Sequence, residues 1–329
     1  MIKYLKYEWK KHLWVLLIIT AICTLPYVLE TATMVLQFET YTGDIHIYTP
    51  NTASVSVPMA ILTFIVPILI YSFKMNKRGV DGYYSLPIKR EKLYLAKTVI
   101  GLALIFIPFT VAYWLGFLTL LGRQGNPYEM AWYVPAYFGY LGLGVLLFGF
   151  NAFIFTRANK IGDGVVFMLS YALIASLILS YVEKLFDLQI SWRIQEGFYS
   201  WGGLSAFDTM MSDLIQGESI ANEVSFGTYI YNIITGVLGY VLLFFSVSFE
   251  KAENAEQVSD SWFGYRTLIP IYMAFLFAGG EQSTLSYCII LVMGLIATIV
   301  YQRKFKFSQW CWIMLGIGLV SGVLLGGFL

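Results

Sequence analysis

Apolar runs of about twenty residues recur along this chain, separated by short charged breaks, and that alone rules out most folds. They occupy residues 13 to about 35, 53–73, 98–121, 135–155, 165–181 and 227–247. A helix needs about twenty mostly apolar residues to cross the hydrocarbon core of a bilayer. In lipid no water satisfies the backbone, so only helices or closed barrels can span it. Only 12% of the residues are charged, against about 25% in soluble domains. The sequence therefore predicts an all-α polytopic membrane protein with six spans in its first 248 residues.

The breaks between runs carry the topology. Short loops rich in Lys and Arg stay on the cytoplasmic side. With the amino terminus inside, the cytoplasmic breaks hold four Lys or Arg in residues 1–12, seven in 74–97, two in 157–160, two in 251–266 and three in 303–306. Of the chain's 21 such residues, only Arg123, Lys184 and Arg193 then fall outside. The expected arrangement is multi-pass, with a cytoplasmic amino terminus.

Residues 1–12 read as an amphipathic interfacial helix, with Tyr4, Leu5, Trp9 and Leu13 near one face and lysines elsewhere. A lysine-rich start before an apolar run has the form of a signal peptide, but no small-residue cleavage site follows, so a retained first span is expected. QFETYTGDIHIYTPN alternates around Gly43 and Asp44 as a small outer hairpin would. Residues 182–226, with seven acidic residues against two basic ones, read as a long outer segment containing a short helix, AFDTMMSDLIQ. Beyond residue 249, FEKAENAEQVSD looks helical, 267–280 is short for a crossing but is expected to make one, and 284–300 and 310–328 are long enough. Gly139, Gly142, Gly144 and Gly149 in the fourth run, and Gly318, Gly322 and Gly326 in the last, predict closely packed helices.

Polar groups at membrane depth mark functional sites by default. Glu30, Asn151 and Asn232 are the candidates for a substrate path, and each has a plainer reading, packing or an interfacial position. Two histidines on opposite sides of the membrane do not make a metal site, and Cys23, Cys288 and Cys311 are not spaced as ligands. No GxxxxGK[ST] occurs, so the chain has no P-loop for ATP; nor is there an H-E-x-x-H or G-x-S-x-G motif. No cofactor or metal is expected in the chain, and nothing suggests nucleic acid as a partner. Two other classes stay open: a membrane enzyme acting on lipids or peptides through Glu30, Glu183 or Asn151, and an ion-coupled secondary transporter.

The break between the second and third runs reads K-x-G-x-x-x-x-Y-x-L-P-I-x-R-x-x-x-x-x-A-K, carried by Lys77, Gly79, Tyr84, Leu86, Pro87, Ile88, Arg90, Ala96 and Lys97. With its position and the order of the other parts over residues 1–250, it resembles the ABC-2 type permeases of bacterial ABC exporters. The resemblance implies a six-helix domain over residues 13–248, with a cytoplasmic coupling loop at 74–97. Gly82, Tyr83, Tyr84, Leu86, Pro87, Lys89, Arg90, Glu91 and Lys92 would meet a separate ATPase subunit, and Asn159 and Lys160 would make a lesser contact. It further implies a second permease copy or paralogue, membrane lipids around it, ATP and Mg bound by the ATPase partner, and no enzymatic site in this chain. Residues 249–329, a linker and two or three more membrane segments, exceed the smallest members. In that they resemble the longer Gram-positive permeases, including the phenol-soluble modulin exporter group, which implies an amphipathic toxin or antimicrobial peptide as cargo.

Overall fold

Each long apolar run is helical in the computed structural model, which describes residues 2–33, 39–41, 44–46, 53–121, 130–186, 226–249, 252–259, 261–279, 284–302 and 309–327. The helices are α1 (Ile2–Thr33), α2 (Ala53–Tyr71), α3 (Lys77–Tyr84), α4 (Arg90–Leu121), α5 (Met130–Thr156), α6 (Ile161–Phe186), α7 (Phe226–Val247), α8 (Tyr265–Gly279), α9 (Thr284–Gln302) and α10 (Gln309–Gly327). The expected hairpin is present as β1 (Glu39–Tyr41) and β2 (Asp44–His46), antiparallel with Tyr41 opposite Asp44. Among the described residues, Ile2–Thr33, Ser56–Met75, Arg90–Thr119 and Tyr133–Thr156 are long and apolar enough to cross a bilayer. The chain is a helical membrane protein.

Several boundaries differ from the sequence expectation. The interfacial and spanning stretches of the amino terminus join without a break in α1, whose 32 residues reach about 48 Å at about 1.5 Å per residue. Its buried face runs through Tyr4, Glu8, Leu16, Cys23, Tyr27 and Thr31, while Leu13 is exposed. An acidic residue lies at the centre of that face because it has a buried cationic partner on α4. Helix α4 starts eight residues before the expected third span, at Arg90. Within FEKAENAEQVSD the described residues 252–259 are not an α-helix; they hold a 3-10 turn, Ala252–Asn254, where a helix was expected. Helix α6 runs five residues past the expected 181, and the expected outer helix lies outside the described residues.

The chain divides into two compact units, the first made of Met1–Ile70, Pro87–Ala152 and Ser191–Phe249, the second of Tyr71–Leu86, Phe153–Ile190 and Glu250–Leu329. In the first, α1 and α4 run parallel. Glu8 meets Lys97, a Cβ on Gly116 would strike the Tyr27 ring, and Thr31 meets Thr119, so partners stay 88 or 89 residues apart along both helices. Helices α2 and α5 are also parallel, with Met59 against Gly144 and Thr63 against Asn151. Helices α4 and α5 are antiparallel, with Gly101 against Phe148 and Tyr113 bonded to Tyr133. Helix α7 lies along α5, where Gly236 backs onto Leu146 and Gly239 onto the Gly149 backbone. A chain threading back and forth produces these senses: alternate spans parallel, successive spans antiparallel.

In the second unit α8 runs parallel to α6, the Tyr265–Asp163 and Tyr272–Ser170 hydrogen bonds both spanning 102 residues. Helix α10 is parallel to α8: Gly318 faces Pro270 and Gly322 faces Ala274 and Phe277, approaches too close for any side chain. Helix α9 returns antiparallel, with Tyr265 near Tyr301 and Phe277 near Tyr287. Met273, Phe277, Ile290 and Leu315 form the core of this triplet. Helix α8 is a single helix of 15 residues, about 22 Å long. It does not double back, and the return is made by α9.

Candidate functional site

The basic break between α2 and α4 is built from local rules. Asn76 is extended, and its side-chain oxygen accepts the Arg78 N–H at 3.0 Å, starting α3 as an N-cap. Gly79 is required because a Cβ there would lie 2.6 Å from the Phe73 carbonyl oxygen. The helix stops at Ser85, whose N–H donates to the Asp81 carbonyl at 3.2 Å, and Leu86, preceding a proline, is biased away from helix. Helix α4 then begins with the Leu93 N–H on the Lys89 carbonyl. Glu91 in its first turn complements the helix dipole. Helix α3 is not expected from the sequence reading; Asn76 ahead of KRGVDGYY is the signal that marks its start.

Within the second unit, the α3 side of this break presents Lys77, Arg78, Asp81, Gly82 and Ser85 to solvent, while Val80 is buried and the Tyr83 ring packs 4.6 Å from that of Phe73. Tyr84 and Leu86 are half-buried. Lys74 donates its Nζ to the carbonyl of Thr156, the last residue of α5. A cation there satisfies a carbonyl that the helix cannot.

The second basic break lies in the same unit, under a cover that the sequence did not announce. Asn159 gives its backbone N–H to Ser259 Oγ at 2.9 Å and its side-chain amide to the Val258 carbonyl at 3.1 Å. Its carbonyl accepts the Glu256 N–H at 3.0 Å. Ser259 Oγ in turn donates to Asp163 at 2.7 Å, and the Tyr265 hydroxyl donates to the other Asp163 oxygen at 3.1 Å. The segment 252–259 is thus strapped over the turn between α5 and α6. Glu256, at φ 65°, adopts a left-handed conformation that costs a non-glycine residue about 1 kcal/mol. There its carboxylate accepts the Lys77 backbone N–H at 3.3 Å and lies 3.9 Å from Lys77 Nζ. One residue of the strap therefore touches both basic breaks.

Within the first unit, Pro87, Lys89, Arg90, Glu91 and Lys92 are exposed where α4 begins. A turn and a half further along α4, Lys97 is 2% exposed and donates to Glu8 at 2.8 Å. The Tyr4 hydroxyl donates to the other Glu8 oxygen at 2.8 Å, and His12 Nε2 lies 3.4 Å from the carboxylate. Tyr4, Glu8 and His12 follow each other at four-residue spacing on one face of α1, as i, i+4 neighbours do. Lys97 had been read as part of a loop in water; it is buried because its partner is.

The three substrate-path candidates sit on three helices. Glu30 is half-buried in the last turn of α1, and Asn232 is buried in α7. Asn151, buried in α5, donates its amide to the Thr63 carbonyl at 3.2 Å. That carbonyl would ordinarily accept from residue 67, and Pro67 has no N–H. The amide repairs a helix that a proline interrupts.

The class these features define is a polytopic helical membrane protein with its basic breaks folded into hydrogen-bonded turns. No family model, curated protein or solved structure matches the chain.

Proposed function

We propose that the chain is the membrane-spanning permease subunit of an ATP-driven exporter of the ABC-2 type, moving an amphipathic peptide or similar hydrophobic compound out of the cell. The observations that carry this reading are the capped helix α3 with its exposed Lys77 and Arg78 in one unit, and the exposed basic start of the membrane-length helix α4, Lys89, Arg90 and Lys92, in the other. Helix α4 alone, 32 residues long from its exposed start, makes a lever, and a lever at that point serves a partner that pushes. With no P-loop in the chain, the energy would come from a separate ATPase that closes on ATP and shifts the segment from Gly82 to Lys92. Alternating access then follows if the bundle has two arrangements of similar free energy and the ATPase state biases them.

Inside-out vesicles carrying the chain with its co-purified ATPase test this reading. Uptake of a fluorescent amphipathic peptide should require hydrolysable ATP and persist when ion gradients are collapsed by ionophores. Uptake that survives ATP depletion and falls with the gradient would instead establish a secondary transporter.

A further inference from the structure

The resemblance implies that Asn159 and Lys160 make a second, smaller contact with the ATPase, yet three polar groups of Asn159 are already engaged. Its N–H, carbonyl and side-chain amide bond to Ser259, Glu256 and Val258, and Ser259 is anchored below by Asp163. Ala158 is buried and Asn159 and Lys160 are half-buried, whereas Glu253, Asn254, Glu256, Gln257 and Val258 are all exposed. A protein approaching this turn meets the strap first. To take over these groups of Asn159 it would have to break three hydrogen bonds. The strap is also continuous with α3: the Glu256 carboxylate takes the Lys77 N–H and faces its ammonium. Beside the exposed Lys77 and Arg78 of α3 it therefore sets an acidic edge, Glu253 and Glu256, giving one surface of two signs. Such a surface orients a partner, because complementary charges fix register and like charges reject the wrong one.

We infer that the strap 252–259, and not the turn holding Asn159 and Lys160, is the second surface on which the ATPase subunit docks. The inference rests on the proposed function and moves its minor contact from the break after α5 to the linker after α7. It also gives the region beyond the six-helix domain a role, since the linker that leads to α8–α10 becomes part of the coupling surface.

Site-specific photo-crosslinkers at Lys89, Lys160 and Gln257, introduced one at a time in the full chain in native membranes, test it. These side chains lie at or near the surface, so the fold is little disturbed. Mass spectrometry of the adducts should find a P-loop ATPase joined at Lys89 and Gln257, with the yield at Lys160 several-fold lower. A P-loop ATPase joined at Lys89 and Lys160 but not at Gln257 would overturn the strap assignment and leave the proposed function standing. Adducts at Gln257 only to lipid or to this chain itself, with the ATPase still joined at Lys89, would overturn it equally. Absence of any P-loop ATPase at all three positions would overturn the proposed function and the inference with it.

Discussion

Glu8 and Lys97 meet at 2.8 Å across 89 residues of sequence, both side chains almost wholly withdrawn from solvent. The pair fixes the register of two parallel helices. A buried ion pair gains little over well-packed apolar residues, because desolvation offsets the attraction, but removing one partner strands the other charge. Lys97→Met or Glu8→Met alone should cost about 3–5 kcal/mol, and the double replacement should recover most of it. Thermal unfolding of the purified chain in detergent measures this. A double variant as unstable as either single one would mean that the pair is more than a buried charge and its neutraliser.

Asn151 and Pro67 form a second testable relationship, since the amide serves a carbonyl that the proline leaves without its helical donor. Asn151→Ala should cost about 1–3 kcal/mol by leaving that carbonyl unsatisfied. In a Pro67→Ala background, where the helix can supply the N–H itself, the same replacement should cost clearly less. A double-mutant cycle reads the coupling. Additive effects would show that Asn151 acts elsewhere, and the substrate path would be the place to look.

Ser259 links the strap to the turn beneath it from both sides, accepting from Asn159 and donating to Asp163. Ser259→Ala removes both bonds, each worth about 1 kcal/mol net. Amide hydrogen exchange at Asn159 and Glu256 should then quicken by about tenfold, while amides within α4 keep their protection. Equal exchange in the variant would show that the strap is held by something other than these bonds.

Much of the architecture could be read before any coordinate, and the reason is physical. Length and apolarity dictate a helix in lipid, so the runs near 53–73, 135–155 and 227–247 fall within five residues of α2, α5 and α7, while α4 extends eight residues ahead of the run 98–121. Gly43 and Asp44 announced the hairpin through turn chemistry. Gly144 and Gly149, and likewise Gly318 and Gly322, pack as small residues do, although Gly142 faces open space. The misses share one cause: each depends on a partner distant in sequence. Glu8 is tolerable on a buried face only because Lys97 is there, and Lys97 escapes water only because of Glu8. Periodicity along α1 alone could not reveal either. The strap was misread as helical because EKAENAEQ has good local propensity, whereas its hydrogen bonds go to Asn159 and Asp163, about a hundred residues away. Helix α3 was hidden by its brevity, eight residues with only Val80 fully buried.

The central claim, that an external ATPase drives this chain through residues 82–92, is tested most directly by co-purification from native membranes. The chain should bring down a P-loop ATPase in comparable amount, and the triple variant Tyr84→Ala, Leu86→Ala, Arg90→Ala should lose at least tenfold of it with its own unfolding temperature little changed. Recovery of the well-folded chain without any P-loop protein, or full retention of the ATPase by the triple variant, would contradict the account.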